Sequence, residues 1–238
     1  MDRLGGIVFT VGDAAYEEGT ASNFRDCYEP TWGRLKDRTL LSAVGNHEYK
    51  TPNAAAYFAY FGSSAGRPGH GWRSLDVGAW HIVILNSNCD IVGCGSGSAQ
   101  LRWLKADLAA HQARCTLAIW HHPLFSSGAH GNDPAVRPFW RALRAAGADL
   151  VVNGHEHDYE RFAPQTAGGA LDRSSGIREL VVGTGGARLR RFKTIKPHSR
   201  FRLSTFGIIQ LTLHRASYTW RFLRTDGTVA DAGTTGCH

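Results

Sequence analysis

Short apolar runs, each about the length of a β-strand, recur along the whole chain and limit the folds that it can adopt. Helical patterns lie between several of them: residues 99–111 repeat leucine on one helix face, and residues 136–146 end at Gly147, where a C-cap belongs. Strands that alternate with helices predict a layered α/β domain. The predicted strands are 6–11, 39–44, 80–85, 115–120, 150–152, 179–182, 207–213 and 217–223.

The second half of the chain is richer in strands, with a hairpin signal at Asp226-Gly227. Residues are 42% hydrophobic and 20% charged, which is ordinary for a soluble globular chain. No apolar stretch approaches the roughly 18 residues of a membrane span, and we find no internal repeat or linker. We therefore expect residues 1–238 to form a single domain.

The chain carries 27 Lys or Arg and 20 Asp or Glu, a formal charge of +7 that favours anionic partners. Its densest basic stretch, residues 188–202, holds seven Lys or Arg. We interpret this stretch as a solvated loop; a mild attraction for anionic substrates is the alternative. Nucleic acid is not an expected partner, because no stacking platform accompanies the basic residues.

The cysteines indicate an oxidising compartment. Cys89 and Cys94 enclose a short loop that a disulfide could close, and no Cys-x-x-Cys pair predicts a structural zinc site. We expect a secreted or periplasmic protein, although the N-terminal residues are not those of a signal peptide. The pairing of the other cysteines is left open: Cys27, Cys115 and Cys237.

Metal-ligating residue types follow four of the predicted strands. In an α/β fold, ligands bind where the carboxyl ends of strands converge, and Asp, Asn, Tyr and His together suit zinc, iron or manganese. Each segment alone has a simpler explanation, such as core packing for Tyr16 or a satisfied surface pair for His155 and His157. Their agreement predicts a metal site. The segments are Gly12-Asp13 with Tyr16, Gly45-Asn46-His47-Glu48, His121-His122-Pro123 and Asn153-Gly154-His155-Glu156-His157.

In order and content these segments resemble the calcineurin-like metallophosphoesterases, and within them the purple acid phosphatase type. Tyr16 and the trailing Tyr159-Glu160-Arg161 narrow the resemblance to that type, and the matching segments span residues 12–161. The resemblance implies a four-layer α/β/β/α sandwich. A pair of metal ions would lie at its strand ends.

The resemblance also implies a role for each matching residue. Asp13 would bridge the two metals. Tyr16 and His157 would complete a ferric site, whereas the second site would hold zinc, manganese or iron. His47 would bind the phosphate and assist the leaving group, and His130 would be a second substrate-facing histidine. The ligands of the second site would be Asn46, His121 and His155.

The chain departs from the family pattern at its start. The family's first motif places an aspartate on a strand upstream of Asp13, but only Asp2 precedes Asp13 here, with no strand before it. We therefore expect the first strand to be missing, together with one ligand of the Tyr16–His157 metal. A mis-called start, a fragment and a degenerate homologue each account for such an N-terminally shortened chain.

The implied function is a metal-dependent phosphomonoesterase, acid phosphatase-like, in which a hydroxide held by the metals attacks a small phosphate ester. A phosphodiesterase or nucleotide pyrophosphatase would use the same metal pair. A non-catalytic metal- or phosphate-binding remnant is the rival from another class, because an aspartate ligand is missing. A serine nucleophile is not expected, since Ser126-Ser127 lacks the Gly-x-Ser-x-Gly turn.

Overall fold

The computed structural model describes residues 4–238, and its central layer is a seven-stranded mixed sheet. Strands β4, β5, β6 and β8 run parallel to one another, whereas β3 and β7 are antiparallel to their neighbours. The sheet order is β3-β4-β5-β6-β8-β7-β9. The strands are β1 (Val8–Val11), β2 (Thr39–Ala43), β3 (Arg73–Val77), β4 (Trp80–Ile84), β5 (Cys115–Ile119), β6 (Leu150–Asn153), β7 (Tyr159–Phe162), β8 (Arg178–Val182), β9 (Ser199–Leu203), β10 (Gly207–His214), β11 (Ser217–Arg224) and β12 (Val229–Gly236).

Two smaller sheets form the next layer: the parallel pair β1–β2 and the antiparallel sheet β10–β11–β12. The helices are α1 (Ala21–Asn23), α2 (Ala55–Phe61), α3 (Cys89–Val92), α4 (Ala99–Ala110) and α5 (Arg137–Ala145). A π-helical turn covers Phe24–Tyr28, and 3₁₀ turns cover Trp32–Arg38, Glu48–Lys50, Pro52–Ala54, Gly62–Ala65 and Pro134–Val136.

The layers follow the order helix, sheet, sheet, helix. Helices α4 and α5 pack on one face of the seven-stranded sheet, and the smaller sheets pack on its other face. Helix α2 covers the outer side of β2, where the Tyr57 hydroxyl donates to the carbonyl of Ser42 at 2.8 Å. The expected α/β fold is therefore confirmed.

All the predicted strands are present, and those at the centre of the large sheet are apolar on both faces. Every residue of β4, β5 and β6 is buried, so these strands read as continuous apolar runs. The strands β3, β7, β9 and β12 were not predicted, because charged or small residues interrupt them. The Asp226-Gly227 signal does join two strands, β11 and β12.

Two disulfides are present. The predicted Cys89–Cys94 bridge is confirmed, and Cys115 pairs with Cys237, which ties the start of β5 to the residue after β12. Cys27 is free and exposed. Within residues 4–238, no helix combines the length and the apolar character that crossing a membrane would require. Asp2 lies outside the described residues.

Candidate metal centre

The four strand ends meet at one edge of the two central layers. Asp13 and Tyr16 follow β1, Asn46 follows β2, His121 follows β5, and His155 and His157 follow β6. Strands β1 and β2 are parallel neighbours, as are β5 and β6, so their carboxyl ends lie side by side. We call the resulting group of side chains the donor cluster: Asp13, Tyr16, Asn46, His121, His155 and His157.

The first half of the donor cluster consists of Asn46, His121 and His155. The amide oxygen Oδ1 of Asn46 lies 3.1 Å from both His121 Nε2 and His155 Nδ1, and these two nitrogens are 3.2 Å apart. His121 Nδ1 donates to the carbonyl of Val11 at 2.7 Å. That bond fixes the ring so that Nε2 faces the other donors.

The second half consists of Tyr16 and His157. The phenol oxygen of Tyr16 lies 3.0 Å from His157 Nε2, and His157 Nδ1 donates to the carbonyl of Arg188 at 2.7 Å. Asp13 connects the halves, because its Oδ2 lies 3.2 Å from both the Tyr16 hydroxyl and His121 Nε2. All the residues predicted as metal ligands are therefore brought together.

The chemistry of the first half fits a cation. One oxygen of Asp13 and one of Asn46 lie within 3.2 Å of His121 Nε2, as does Nδ1 of His155, which accepts when its ring carries the proton on Nε2. A proton on Nε2 can serve one acceptor well, whereas a metal ion can bind all of them. Burial disfavours the charged form of His121, but the Asp13 carboxylate outweighs burial and raises the pKa of His121. The carboxylate that would help to bind a cation thus also favours the protonated form of His121.

The neighbouring histidines are kept neutral and able to bind metal. Burial, followed by the charge of His121, lowers the pKa of His155 to about 2 and that of His122 to about 3. Burial also lowers the pKa of His157. Burial opposes ionisation of Asp13, but His121 reverses that effect and the pKa of Asp13 lies below its usual value. The carboxylate and the neutral imidazoles are the forms that bind metals.

Backbone geometry around the donor cluster is tight. Asp13 and His155 both have left-handed backbones, with φ of 53° and 66°. Residues with side chains rarely adopt this conformation unless the surrounding structure holds them there. Gly45 permits the close approach of Asp13, because a Cβ at Gly45 would lie 2.2 Å from Asp13 Oδ1. The turn after β2 therefore needs a glycine at this position.

A buried glutamate, Glu48, organises the turns after β1 and β2. Its carboxylate accepts the backbone N–H groups of Asp13 at 3.0 Å, Ala14 at 2.6 Å and Gly45 at 2.8 Å. Burial and the nearby Asp13 carboxylate raise the pKa of Glu48 to about 7. Glu48 belongs to the Gly-Asn-His-Glu segment, but its support of the Asp13 backbone was not predicted from the sequence.

Two further glutamates hold the loop that contains His130. Glu156 accepts the N–H groups of Ala129, His130 and Gly131 at 2.6–2.9 Å. Glu160 accepts from the backbone N–H of Ser127 at 2.7 Å. Neither role was predicted from the sequence. The available signal was the alternation of the acidic residues at 156, 158 and 160 with His155, His157 and Tyr159.

The two predicted substrate-facing histidines lie at the rim of the donor cluster. The Nε2 atom of His47 is 4.0 Å from Asp13 Oδ2, and its Nδ1 donates to the carbonyl of Glu17. The rings of His130 and His155 are 4.4 Å apart. His122 was not among the predicted site residues, yet its ring lies 4.5 Å from that of His155 and it groups with His121 and His155 as a candidate ligand.

Two cavities flank the donor cluster. The smaller, of about 390 Å³, is lined by residues that include Asn46, His122, Asp90 and Asp133. The larger, of about 790 Å³, is lined by Tyr16, His47 and His157 together with residues 187–193. The basic stretch forms no helix or strand over residues 188–198 and none of these residues is buried, as predicted for a solvated loop, whereas residues 199–202 belong to β9. Its first part also borders the site.

The fold and the donor cluster together define a metallophosphoesterase. The chain belongs to the calcineurin-like phosphoesterase family, whose family model matches residues 5–159. Family members are metal-dependent, and the described residues contain groups that could hold a metal ion.

Several of the similar proteins are purple acid phosphatases. Purple acid phosphatase 15 of Arabidopsis thaliana is 28% identical, with the match covering 76% of this chain and 40% of that protein. Purple acid phosphatase 21 of the same plant is 31% identical, with coverage of 83% and 51%. A purple acid phosphatase from yellow lupin (Lupinus luteus) seeds has the same fold, with a TM-score of 0.83 at 22% identity over 97% of this chain and 46% of the lupin chain. The chain thus spans about half the length of these relatives, or less.

Proposed function

We propose that this chain is a metal-dependent phosphomonoesterase of the acid phosphatase type. The observation that carries the proposal is the convergence of the donor cluster, in which Asp13 Oδ2 lies 3.2 Å from a donor of each half. The named relatives support the same reaction class. Small phosphate esters are the substrates that a family of phosphoesterases implies.

The donor cluster would hold two metal ions. Asn46, His121 and His155 would bind one ion, Tyr16 and His157 would bind the other, and the carboxylate of Asp13 would be shared. Iron in the tyrosine site, with zinc, manganese or iron in its neighbour, suits these oxygen and nitrogen donors. Such a pair supplies charge neutralisation for the phosphoryl group and acidifies water.

The residues around the cluster would handle the substrate. His47 has its Nδ1 engaged by the Glu17 carbonyl, which leaves Nε2 to face the phosphate and, when the ring carries a second proton there, to donate it toward the leaving oxygen. His130 lies at the rim beside His155 and within 3.0 Å of an Arg190 guanidinium nitrogen. Both histidines would therefore contact the phosphate from the side open to solvent.

We also infer that the chain matures in an oxidising compartment, that is, secreted or in a periplasm. Its two disulfides support this inference, because such bonds persist where thiols are not kept reduced. Treatment with a thiol-alkylating reagent before and after reduction counts the disulfides. In a chain isolated from its native source, Cys27 alone should react before reduction, and all five cysteines should react after it.

Metal content and turnover of p-nitrophenyl phosphate test the proposed function. The metal-loaded chain should hydrolyse this monoester. His155→Ala should abolish turnover and lower the number of metal ions bound per chain. His214→Ala is the matched control, since His214 is an exposed histidine on β10. Two bound metals without turnover at any pH would overturn the phosphatase proposal in favour of a binding protein. Turnover of bis-p-nitrophenyl phosphate alone would identify a diesterase.

A further inference from the structure

The irregular segment between β8 and β9 concentrates positive charge beside the donor cluster. Arg188, Arg190, Arg191 and Lys193 fall within six consecutive positions and line the larger cavity together with Tyr16 and His157. Glu17 is the one acidic residue in that lining among the described residues. The cavity thus carries a local excess of three positive charges.

The segment is held against the donor cluster by its backbone. The N–H of Arg190 donates to the carbonyl of His157 at 3.0 Å, and the carbonyl of Arg188 accepts from His157 Nδ1 at 2.7 Å. The N–H of Lys193 donates to the carbonyl of Ser127 at 2.9 Å. The basic side chains are therefore positioned beside the metal ligands even though the segment has no regular secondary structure.

The basic side chains keep their binding capacity for a ligand. Among residues 4–238, none of these four side chains forms an ion pair with a carboxylate. The arginines that do form such pairs include Arg25, Arg144 and Arg161. Arg190 contacts the ring of His130 at 2.9 Å. Guanidinium groups without a carboxylate partner are well suited to phosphate, which they bind through paired N–H donors.

The charge excess is confined to one side of the donor cluster. The smaller cavity is lined by Lys50 on one hand and by Asp90 and Asp133 on the other, so it carries no positive excess. Burial and the neighbouring Asp90 raise the pKa of Asp133. The net charge of the chain therefore does not explain the basic cavity, which is a local feature of the segment after β8.

We propose that the larger cavity binds a second phosphate group of the substrate. The preferred substrates are then esters that carry two or more phosphate groups, one at the donor cluster and another beside Arg191 and Lys193. This inference rests on the proposed phosphatase function for the fate of the first phosphate group. A cavity of about 790 Å³ has room for such a molecule, since small-molecule sites commonly occupy about 300–1,000 Å³.

Equilibrium binding of phosphonates tests the inference without relying on turnover, because their carbon–phosphorus bonds are not hydrolysed. Propane-1,3-bisphosphonate and propylphosphonate form a matched pair that differs by one anionic group. The metal-loaded chain should bind the bisphosphonate about tenfold more tightly, as expected for one added charge contact at a protein surface. The measurement is calorimetry at matched ionic strength.

The variant Arg191→Ser/Lys193→Ser should lose most of that preference. The control Arg114→Ser/Arg221→Ser removes the same charge from exposed positions before β5 and on β11, and should keep it. Equal affinity for the two phosphonates, or an equal loss in both variants, would overturn the inference. A bisphosphonate preference without turnover of p-nitrophenyl phosphate would overturn the proposed function alone.

Discussion

The two halves of the donor cluster are supported by different kinds of structure. In the first half, a single residue separates His121 from the end of β5, and a single residue separates His155 from the end of β6. The hydrogen bonding between these strands continues into the site, where the N–H of Gly154 donates to the carbonyl of His121 at 3.0 Å. In the second half, His157 is oriented by the carbonyl of Arg188, which belongs to an irregular segment. The first half is thus built on regular strands, and the second depends on a loop.

This difference predicts that the two halves bind a metal with different affinities. Regular strands hold side chains more precisely than loops do, so the first half should be close to its metal-bound geometry already. It also has three donors of its own, whereas the second half has two. We therefore expect the metal of the first half to bind more tightly.

The largest effect is expected where the halves meet. Asp13→Asn removes the carboxylate that faces both halves, and turnover should fall by more than the roughly 100-fold that loss of an outer-shell partner causes. Metal analysis should find fewer metals per chain. Turnover within tenfold of the unsubstituted chain would show that Asp13 is not shared between two metals.

The expected difference between the halves is tested most directly by substituting one histidine in each half. His157→Ala should remove the weaker metal and leave the stronger one in place, whereas His155→Ala should remove the stronger. Titration with a chelator, followed by elemental analysis, measures the order of loss. Loss of both metals at one chelator concentration in the unsubstituted chain would contradict unequal halves.

A smaller effect is expected from the support of the Asp13 backbone. Glu48→Gln places an amide where three backbone N–H groups need an acceptor, and kcat/KM should fall by roughly 10–100-fold. The free energy of unfolding should fall by about 1–3 kcal/mol, because buried donors lose their partner. The exposed Glu18→Gln is the control, and an identical result for both variants would show that Glu48 does not support the turn.

The sequence was sufficient to predict most of the first half. Asn46, His121 and His155 follow fully or largely buried strands, and parallel strands bring such positions to one edge. The fold-back of residues 188–193 could not be predicted, because backbone carbonyl and N–H contacts carry no residue-specific pattern. The Cys115–Cys237 bridge was equally hidden, since it depends on how the last sheet packs against β5.

The smallest effect on turnover is expected near the second half, where a buried carboxyl group changes the pH dependence of stability instead. Both carboxylate oxygens of Asp158 are buried, and neither has a hydrogen-bond partner among residues 4–238. Burial, with Glu156 and Glu160 nearby, raises the pKa of Asp158 to about 8. The folded pKa lies above the unfolded value of about 4, so the stabilisation is complete below about pH 4 and is lost as the pH rises through about 8.

The amide that Asp158→Asn introduces does not titrate, so the variant should keep its stability as the pH rises. The difference in free energy of unfolding between Asp158→Asn and the unsubstituted chain should therefore shift in favour of the variant from about pH 4 to about pH 8. Urea unfolding across that range measures the difference. A difference that stays constant with pH would show that Asp158 titrates normally.

The way in which residues 188–193 are attached has a consequence for how such proteins diversify. The contacts that fix this segment use the N–H of Arg190, the carbonyl of Arg188 and the N–H of Lys193, none of which depends on the side chain. Most substitutions could therefore accumulate here while the donor cluster stays in register. Under the proposed function, substrate choice and the chemical step would then change independently, and the segment would be a natural place to redirect the activity by laboratory evolution.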